Sequence, residues 1–206
     1  SKLFETALKK IRFCVETKKK QKLDLTIGLQ SVLTPKNFNQ MVPLAKLGRS
    51  LDVDYYVVKQ CSDTQQGDIG VYHLLDQYHL FEQQLKEAEA QSREGYDVII
   101  KWEKIMNEGK RRYDACLSSP FLLYTSGDGR VYPCGMFFFH REEEFRMGDL
   151  KTQSFKEIIQ SDRYWDVVEK LKTFDVHHEC YSNCRSHCIN EYLWDITHPP
   201  DHVNFI

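Results

Sequence analysis

Seven cysteines are the residues of this 206-residue chain whose type and spacing can do chemistry. An odd number excludes complete internal disulfide pairing, and no export signal is visible that would favour a disulfide framework. Clustered thiols in a chain of this kind more often bind metal. The seven are Cys14, Cys61, Cys116, Cys134, Cys180, Cys184 and Cys188.

Five of these cysteines are grouped in the C-terminal half. Cys116 and Cys134 bracket a predicted β-hairpin, whose formation brings both thiols within reach of one site. Cys180, Cys184 and Cys188 are spaced four residues apart, which stacks three thiols on one helix face or makes a compact chelating turn in a loop. Two ligands from a hairpin and two from a distant turn make a four-thiolate site for zinc or an iron–sulfur cluster. Because four ligands suffice, Cys188 either replaces Cys184 or lies nearby.

The remaining candidates near this cluster have ordinary alternatives. Cys14 and Cys61 are predicted to be small buried or spectator thiols. Three histidines, which can ligate zinc but are more often solvated or support a ligand, flank the cluster: His177, His178 and His187. Arg185 either stabilises an anionic cluster or faces water.

The N-terminal elements predict part of a parallel α/β sheet. A helix over residues 3–15 precedes a strand over 23–29, a helix from Thr34 and Pro35 to Gly48, and a strand over 53–59. This alternation is typical of a parallel sheet, so we interpret the segment as the end of a truncated α/β barrel or open sheet. A helix over 72–93, stopped by Gly95, a strand over 96–102 and a linker or short helix follow.

The C-terminal elements change character. Two apolar runs around a glycine turn at 127–129 predict the hairpin, in which Gly127 and Gly129 supply positive φ. Ser154 and Glu157 have the spacing of a capping box, which predicts one helix running as far as Leu171. Its predicted apolar face is Phe155, Ile158, Ile159, Trp165, Val168 and Leu171.

These residues resemble a known family. The segment CLSSPFLLYTSGDGRVYPC (116–134) looks like the opening of the SPASM and twitch extensions of radical SAM enzymes. The GDL at 148–150, the helix SFKEIIQSDRYWDVV and the closing CYSNCRSHC resemble the rest of that pattern. The chain has fewer cysteines than a two-cluster SPASM domain, so it is more similar to the one-cluster twitch variant. Residues 24–60 resemble the last strands of the radical SAM partial barrel.

The resemblance implies a fold class of α/β followed by α+β. Residues 1–112 would be the C-terminal portion of a partial (β/α) barrel with a linker helix. Residues 113–206 would be a small β-hairpin and helix domain that binds an auxiliary [4Fe-4S] cluster. Its predicted ligands are Cys116, Cys134, Cys180, Cys184 and Cys188, of which one of the last two is the fourth.

The resemblance also implies S-adenosylmethionine as a cofactor of a longer parent enzyme. Gln30, Ser31 and Lys59, at the ends of the two strands, are the candidate contacts, although ordinary polar residues also occupy strand ends. The CxxxCxxC motif of the catalytic cluster is absent from the sequence. We therefore expect the C-terminal part of a radical SAM enzyme that does not cleave SAM alone. Its parent would generate a 5′-deoxyadenosyl radical and act on a small-molecule or peptide substrate.

Composition limits the partners. Lys and Arg total 28 and Asp and Glu total 30, so the net charge of −2 favours neither nucleic acid nor an anionic membrane. No apolar run reaches the length of a membrane helix, and a cytoplasmic location is expected. The two-strand segment would expose a sheet edge with Ile27, Leu29, Tyr55 and Val57, which predicts a homodimer. The alternatives are a zinc-stabilised protein-interaction domain without activity and a redox-sensing thiol protein.

Overall fold

The computed structural model describes residues 2–64, 67 and 69–202. The chain divides into two compact units. The first unit takes the residues up to Ser62 together with Ile69–Gly109. The second unit takes the short segment that begins at Asp63 and all residues from Lys110 onward.

The first unit is built on a three-stranded parallel sheet in the order β1-β2-β3. The register pairs Gly28 with Tyr55 and Tyr55 with Asp97. Its elements are α1 (Lys2–Gln21), β1 (Gly28–Leu33), a 3₁₀ helix (Phe38–Gln40), α2 (Met41–Leu51), β2 (Tyr55–Gln60), a 3₁₀ helix (Tyr72–Phe81), α3 (Glu82–Glu89), β3 (Asp97–Ile100) and α4 (Trp102–Met106).

The two faces of this sheet differ in burial because side chains alternate along each strand. Leu33, Tyr56 and Val58 point to the face that α2 and α3 cover, and they are almost completely buried. Gln30 and Lys59 lie on the opposite face and are exposed. The core of the unit therefore lies between the helices and one side of the sheet.

The first strand begins later than predicted, at Gly28 rather than at residue 23. Asp54 fixes this point, because its backbone N–H donates to the Ile27 carbonyl at 2.8 Å and its carboxylate accepts from the Ile27 N–H at 2.6 Å. Lys18, near the end of α1, donates to the same carboxylate. The strand pairing thus starts beside the turn that precedes β2. The predicted bounds of the strand, 23–29, are wrong, because β1 covers Gly28–Leu33.

The second helix also differs from its prediction at both ends. The Thr34 N–H donates to the Asn37 side chain, so Thr34 lies in a turn and α2 begins only at Met41. Gly48 lies inside α2, which ends at Leu51 with Asp52 in the left-handed conformation. A Cβ at Gly48 would lie 2.5 Å from the Tyr96 hydroxyl. Gly48 is therefore a point of close approach and not a helix end.

The long helix predicted over 72–93 is a 3₁₀ helix followed by the short α3. Gly95, with φ of 76°, lies in the turn between α3 and β3. The predicted strand is present as β3, and the predicted linker or short helix contains α4.

The second unit contains a three-stranded antiparallel sheet in the order β4-β5-β6. The predicted hairpin is present, with Gly129 at φ of 90°, whereas Gly127 does not adopt positive φ. Its elements are β4 (Tyr124–Thr125), β5 (Arg130–Tyr132), a 3₁₀ helix (Gly135–Phe138), α5 (Glu142–Phe145), β6 (Gly148–Asp149), α6 (Phe155–Gln160), α7 (Asp162–Lys172) and α8 (His187–Thr197).

The capping box of Ser154 and Glu157 is present, but the single predicted helix is divided into α6 and α7. Ser161 interrupts it in an extended conformation, and its side chain caps α7 by accepting from the Tyr164 N–H. The break rotates the predicted apolar face, so Phe155 and Trp165 are each 52% exposed.

The mixed α/β character predicted from the sequence is confirmed by the parallel and antiparallel sheets. A partial barrel, and a domain boundary after residue 112, stay predictions. Val57 is buried, so it does not contribute to an exposed apolar edge as expected. Among the described strands β1 is an edge, and dimerisation through it stays a prediction. Within the described ranges, none of the helices has the length and apolar character needed to cross a membrane.

Candidate metal centre

Four cysteines of the second unit are brought together by the hairpin and by the loop between α7 and α8. Cys134 directly follows β5 and caps the next 3₁₀ helix, and the Cys116 N–H donates to the Leu171 carbonyl at the end of α7. Cys180 and Cys184 lie in the loop that follows α7. The chain therefore supplies the thiols in two pairs from distant segments.

Each of the four sulfurs has a hydrogen-bond donor of the protein beside it. The Met136 N–H donates to Cys134 Sγ at 3.5 Å. Cys116 Sγ lies 3.8 Å from the Ser118 hydroxyl.

The two loop sulfurs have equivalent donors. Arg111 bonds to Cys180, and the Ser186 backbone bonds to Cys184. Tyr113 also hydrogen-bonds Cys184. Donors aimed at sulfur are the surroundings that thiolate-bound metal centres require.

The pKa values show that these four thiols share one low-dielectric neighbourhood. Burial raises the pKa of Cys134 to about 11 and raises the pKa of Cys116, with further contributions from the charge of Cys184. The hydrogen bond between Cys184 and Cys180 lowers the pKa of Cys180 and, together with burial, raises that of Cys184.

The remaining sulfur candidates are placed differently. Cys188 is exposed on α8, and Cys14 is exposed on α1, so of its two expected alternatives Cys14 is not the buried thiol. Cys61 is buried in the first unit. All seven cysteines lie in the described part of the chain, and none forms a disulfide there.

The flanking histidines and Arg185 have other roles. His177 pairs with Asp114, and His178 pairs with Asp175. His187 Nδ1 lies 3.3 Å from the Tyr113 hydroxyl. Arg185 is exposed, but its charge lowers the pKa of Cys134 and so opposes the effect of burial.

No three His, Cys, Asp or Glu side chains of the described residues stand in an arrangement that can hold a metal ion. The hydrogen bond between Cys180 and Cys184 is consistent with this arrangement, because these two thiols are paired with each other and not directed together toward a metal ion. The donor set itself fits a thiolate-bound group, since four partly buried cysteines lie among N–H and O–H donors. The ligand assignment stays a prediction.

A polar shell around the thiols was not predicted from the sequence. The Asn190 side chain accepts from the Ser118 N–H at 2.8 Å, and both residues are buried. Asp63 pairs with Ser182 in the cysteine loop, through bonds of 2.8 and 3.2 Å. The buried serines beside the cysteines could have suggested this shell, whereas no spacing connects Asp63 with residue 182.

The three candidate SAM contacts divide between the two faces of the parallel sheet. Gln30 and Lys59 share the exposed face, because the register pairs Gln30 with Val57 and Val32 with Lys59. Ser31 points to the other face, where it lies near Tyr56, whose hydroxyl donates to Met41 Sδ at 3.5 Å. The structure thus brings Gln30 and Lys59 to one side and separates Ser31 from them.

Residues 116–189 match the family model of SPASM, described as an iron–sulfur cluster-binding domain. The match covers the hairpin and the cysteine loop, and it indicates iron–sulfur cluster binding by this part of the chain. It confirms the predicted resemblance over these residues. Comparison with curated proteins finds no match.

One solved structure is also similar, that of selenomethionine BtrN in an open conformation. It is 12% identical, the alignment covers 79% of this chain and 94% of that chain, and the TM-score is 0.27. A TM-score this low carries no argument about fold or function.

Proposed function

We propose that Cys116, Cys134, Cys180 and Cys184 bind an auxiliary [4Fe-4S] cluster. The observation that carries the proposal is the grouping of these four sulfurs, each beside a hydrogen-bond donor, inside the segment that matches the SPASM model. Cys184 is preferred over Cys188 as the fourth ligand because its charge acts on Cys116 and Cys134 and it shares a hydrogen bond with Cys180, whereas Cys188 is exposed.

The chain's own residues prepare the site in three ways. The hairpin and the loop bring the thiols to one place, and burial excludes water from them. The Met136 N–H and the Ser118 hydroxyl orient the sulfurs of Cys134 and Cys116. Because a metal-bound cysteine is a thiolate, loading of the site releases the protons of these thiols. When bound, an iron–sulfur cluster takes up and returns single electrons.

We further propose that this site serves a radical SAM enzyme whose CxxxCxxC segment lies outside these residues. The first unit would be the part of the barrel that faces SAM, with Gln30 and Lys59 as contacts on the exposed side of the sheet. Ser31 lies near Tyr56 on the other face of the sheet, which makes it the weaker candidate. The substrate would be a small molecule or a peptide.

The test is metal analysis of the chain purified without oxygen. We expect about four irons and four sulfides per chain, and a spectrum typical of a reduced [4Fe-4S] cluster after addition of dithionite. Serine substitution at Cys116, Cys134, Cys180 or Cys184 should each lower the iron content by more than half. Cys188→Ser is the matched control, because it removes a thiol from the same loop and helix region but from an exposed position.

Three outcomes would change the proposal. Retention of iron in Cys184→Ser with loss in Cys188→Ser would exchange the fourth ligand. About one tightly bound zinc per chain without iron, in protein that has not been reconstituted, would favour the zinc-stabilised interaction domain. Neither metal at any stoichiometry would refute a metal centre altogether.

A further inference from the structure

We infer that Arg111 is a positioning residue that raises the reduction potential of the proposed cluster by holding a fixed positive charge beside it. The inference rests on the proposed function, since it concerns the same four thiols. It adds a role to a residue that precedes the SPASM match and is not one of its cysteines.

The geometry of the Arg111 side chain is fixed by two backbone carbonyls. Its guanidinium donates to the Val176 carbonyl at 2.6 Å and to the Tyr181 carbonyl at 2.8 Å, which places its charge close enough to Cys180 to lower the pKa of that thiol. These carbonyls lie before and just after Cys180, so one planar fork spans the start of the cysteine loop. A lysine ammonium cannot present the same fork.

The charges near this guanidinium come mainly from sulfur. Cys180 and Cys184 are the cysteines whose charges act on it, and Tyr113 packs below it at 5.8 Å from its ring centre. A partly buried cation is costly unless anionic groups compensate it, and a four-thiolate cluster is anionic. The arrangement therefore suits a loaded site better than one with four neutral thiols.

A fixed cation favours the more negative of two redox states. When dithionite supplies one electron, the charge of the cluster becomes more negative by one, and Arg111 stabilises that product more than the oxidised form. Net charge and hydrogen bonds to sulfur are among the factors that set cluster potentials. Removal of this charge should therefore shift the potential to more negative values.

The test is an anaerobic redox titration of the loaded chain, followed by the spectrum of the reduced cluster. For Arg111→Gln we expect the ratio of reduced to oxidised cluster at a given poise to fall about tenfold, a shift of about −59 mV for one electron. Arg112→Gln is the matched control, because it removes the same charge at the next residue, which is exposed and pairs with Glu191 and Asp195. Its potential should be unchanged. Arg111→Lys, which keeps the charge, should stay closer to the wild type than Arg111→Gln.

Each result supports or overturns the inference. A loaded Arg111→Gln whose potential equals that of Arg112→Gln overturns it while leaving the proposed function intact. If Arg111→Gln does not load but Arg111→Lys does, the potential of Arg111→Lys decides: a value close to the wild type supports the inference, and a shift of about −59 mV although the charge is kept overturns it. If neither loads although both fold by circular dichroism, the residue acts only through the two carbonyls and the inference fails. A wild-type chain without iron refutes the proposed function and this inference with it.

Discussion

Replacement of Gly148 by alanine tests how closely α6 must approach β6 to hold the hairpin. A Cβ at this position would lie 2.6 Å from Ile158 Cγ1 and 2.9 Å from both Cδ1 and Cγ2. Ile158 has no exposed surface and occupies the core of the second unit, so it has little room to turn away. The added methyl group therefore forces overpacking, for which the usual cost is about 1–3 kcal/mol.

The magnitude can be measured by heat and by hydrogen exchange. For a unit of this size each kcal/mol lowers Tm by about 4–8 °C, so Gly148→Ala should lower it by about 4–24 °C. Hydrogen exchange at the Ile158 amide, which donates to Ser154, should become about 5–150-fold faster where exchange follows global opening of the unit. The metal-free, reduced chain is the sample, so that cluster loss does not contribute.

Gly127→Ala is the matched control in the same hairpin region. Nothing lies within 4 Å of a Cβ at Gly127, and the residue does not have positive φ. We expect its stability to change by no more than about 0.5 kcal/mol. Equal Tm and equal exchange in Gly148→Ala and Gly127→Ala would refute the reasoning, because the close contact with Ile158 would then carry no energetic cost.

Two further changes test the local structure. The Ile27 N–H and then Lys18 hold the pKa of Asp54 below its usual 3.8, so its stabilisation is present above that value and is lost as pH falls through the lower folded pKa. The fall in the free energy of unfolding between pH 7 and pH 3, measured with urea, should be smaller in Asp54→Asn than in the wild type by about 0.5–1 kcal/mol at this partly exposed site; an equal fall in the two proteins contradicts the assignment. Ser161→Ala should cost about 1 kcal/mol in urea unfolding through loss of the α7 cap, and a cost near zero would show that the helix break does not depend on this serine.

The elements predicted well from the sequence are those whose signals are local. The glycine turn predicts the hairpin, because Gly129 supplies the positive φ within the turn itself. Ser154 and Glu157 predict a helix start for the same reason, since both partners of the capping box lie within one turn.

The predictions that failed depend on contacts between distant residues. The start of β1 is fixed by Asp54, 27 residues after Ile27, and no local pattern reveals that contact. The break at Ser161 was missed because its neighbours have helical periodicity on both sides, and only the cap of α7 shows the interruption.

The candidate site was predictable to the same extent. The hairpin explains how Cys116 and Cys134 meet, and the close spacing of Cys180 and Cys184 explains their pairing. Arg111 is held near these cysteines by hydrogen bonds to carbonyls that are 65 and 70 residues away in the sequence. Neither the composition nor the cysteine spacing predicts those contacts.

The second unit is assembled from two separate stretches of the chain, because the short segment that begins at Asp63 belongs to it, although the residues up to Ser62 and those from Ile69 to Gly109 belong to the first unit. No single continuous segment of the second unit's own residues therefore contains the whole unit. A gene fusion joined at residue 112 would carry all four thiols but neither Arg111 nor the two hydrogen bonds between Asp63 and Ser182. Transfer of this unit between proteins by recombination therefore has to include both stretches of the chain. A single crossover would transfer the cysteine loop without the segment that contains Asp63 and its hydrogen bonds to Ser182.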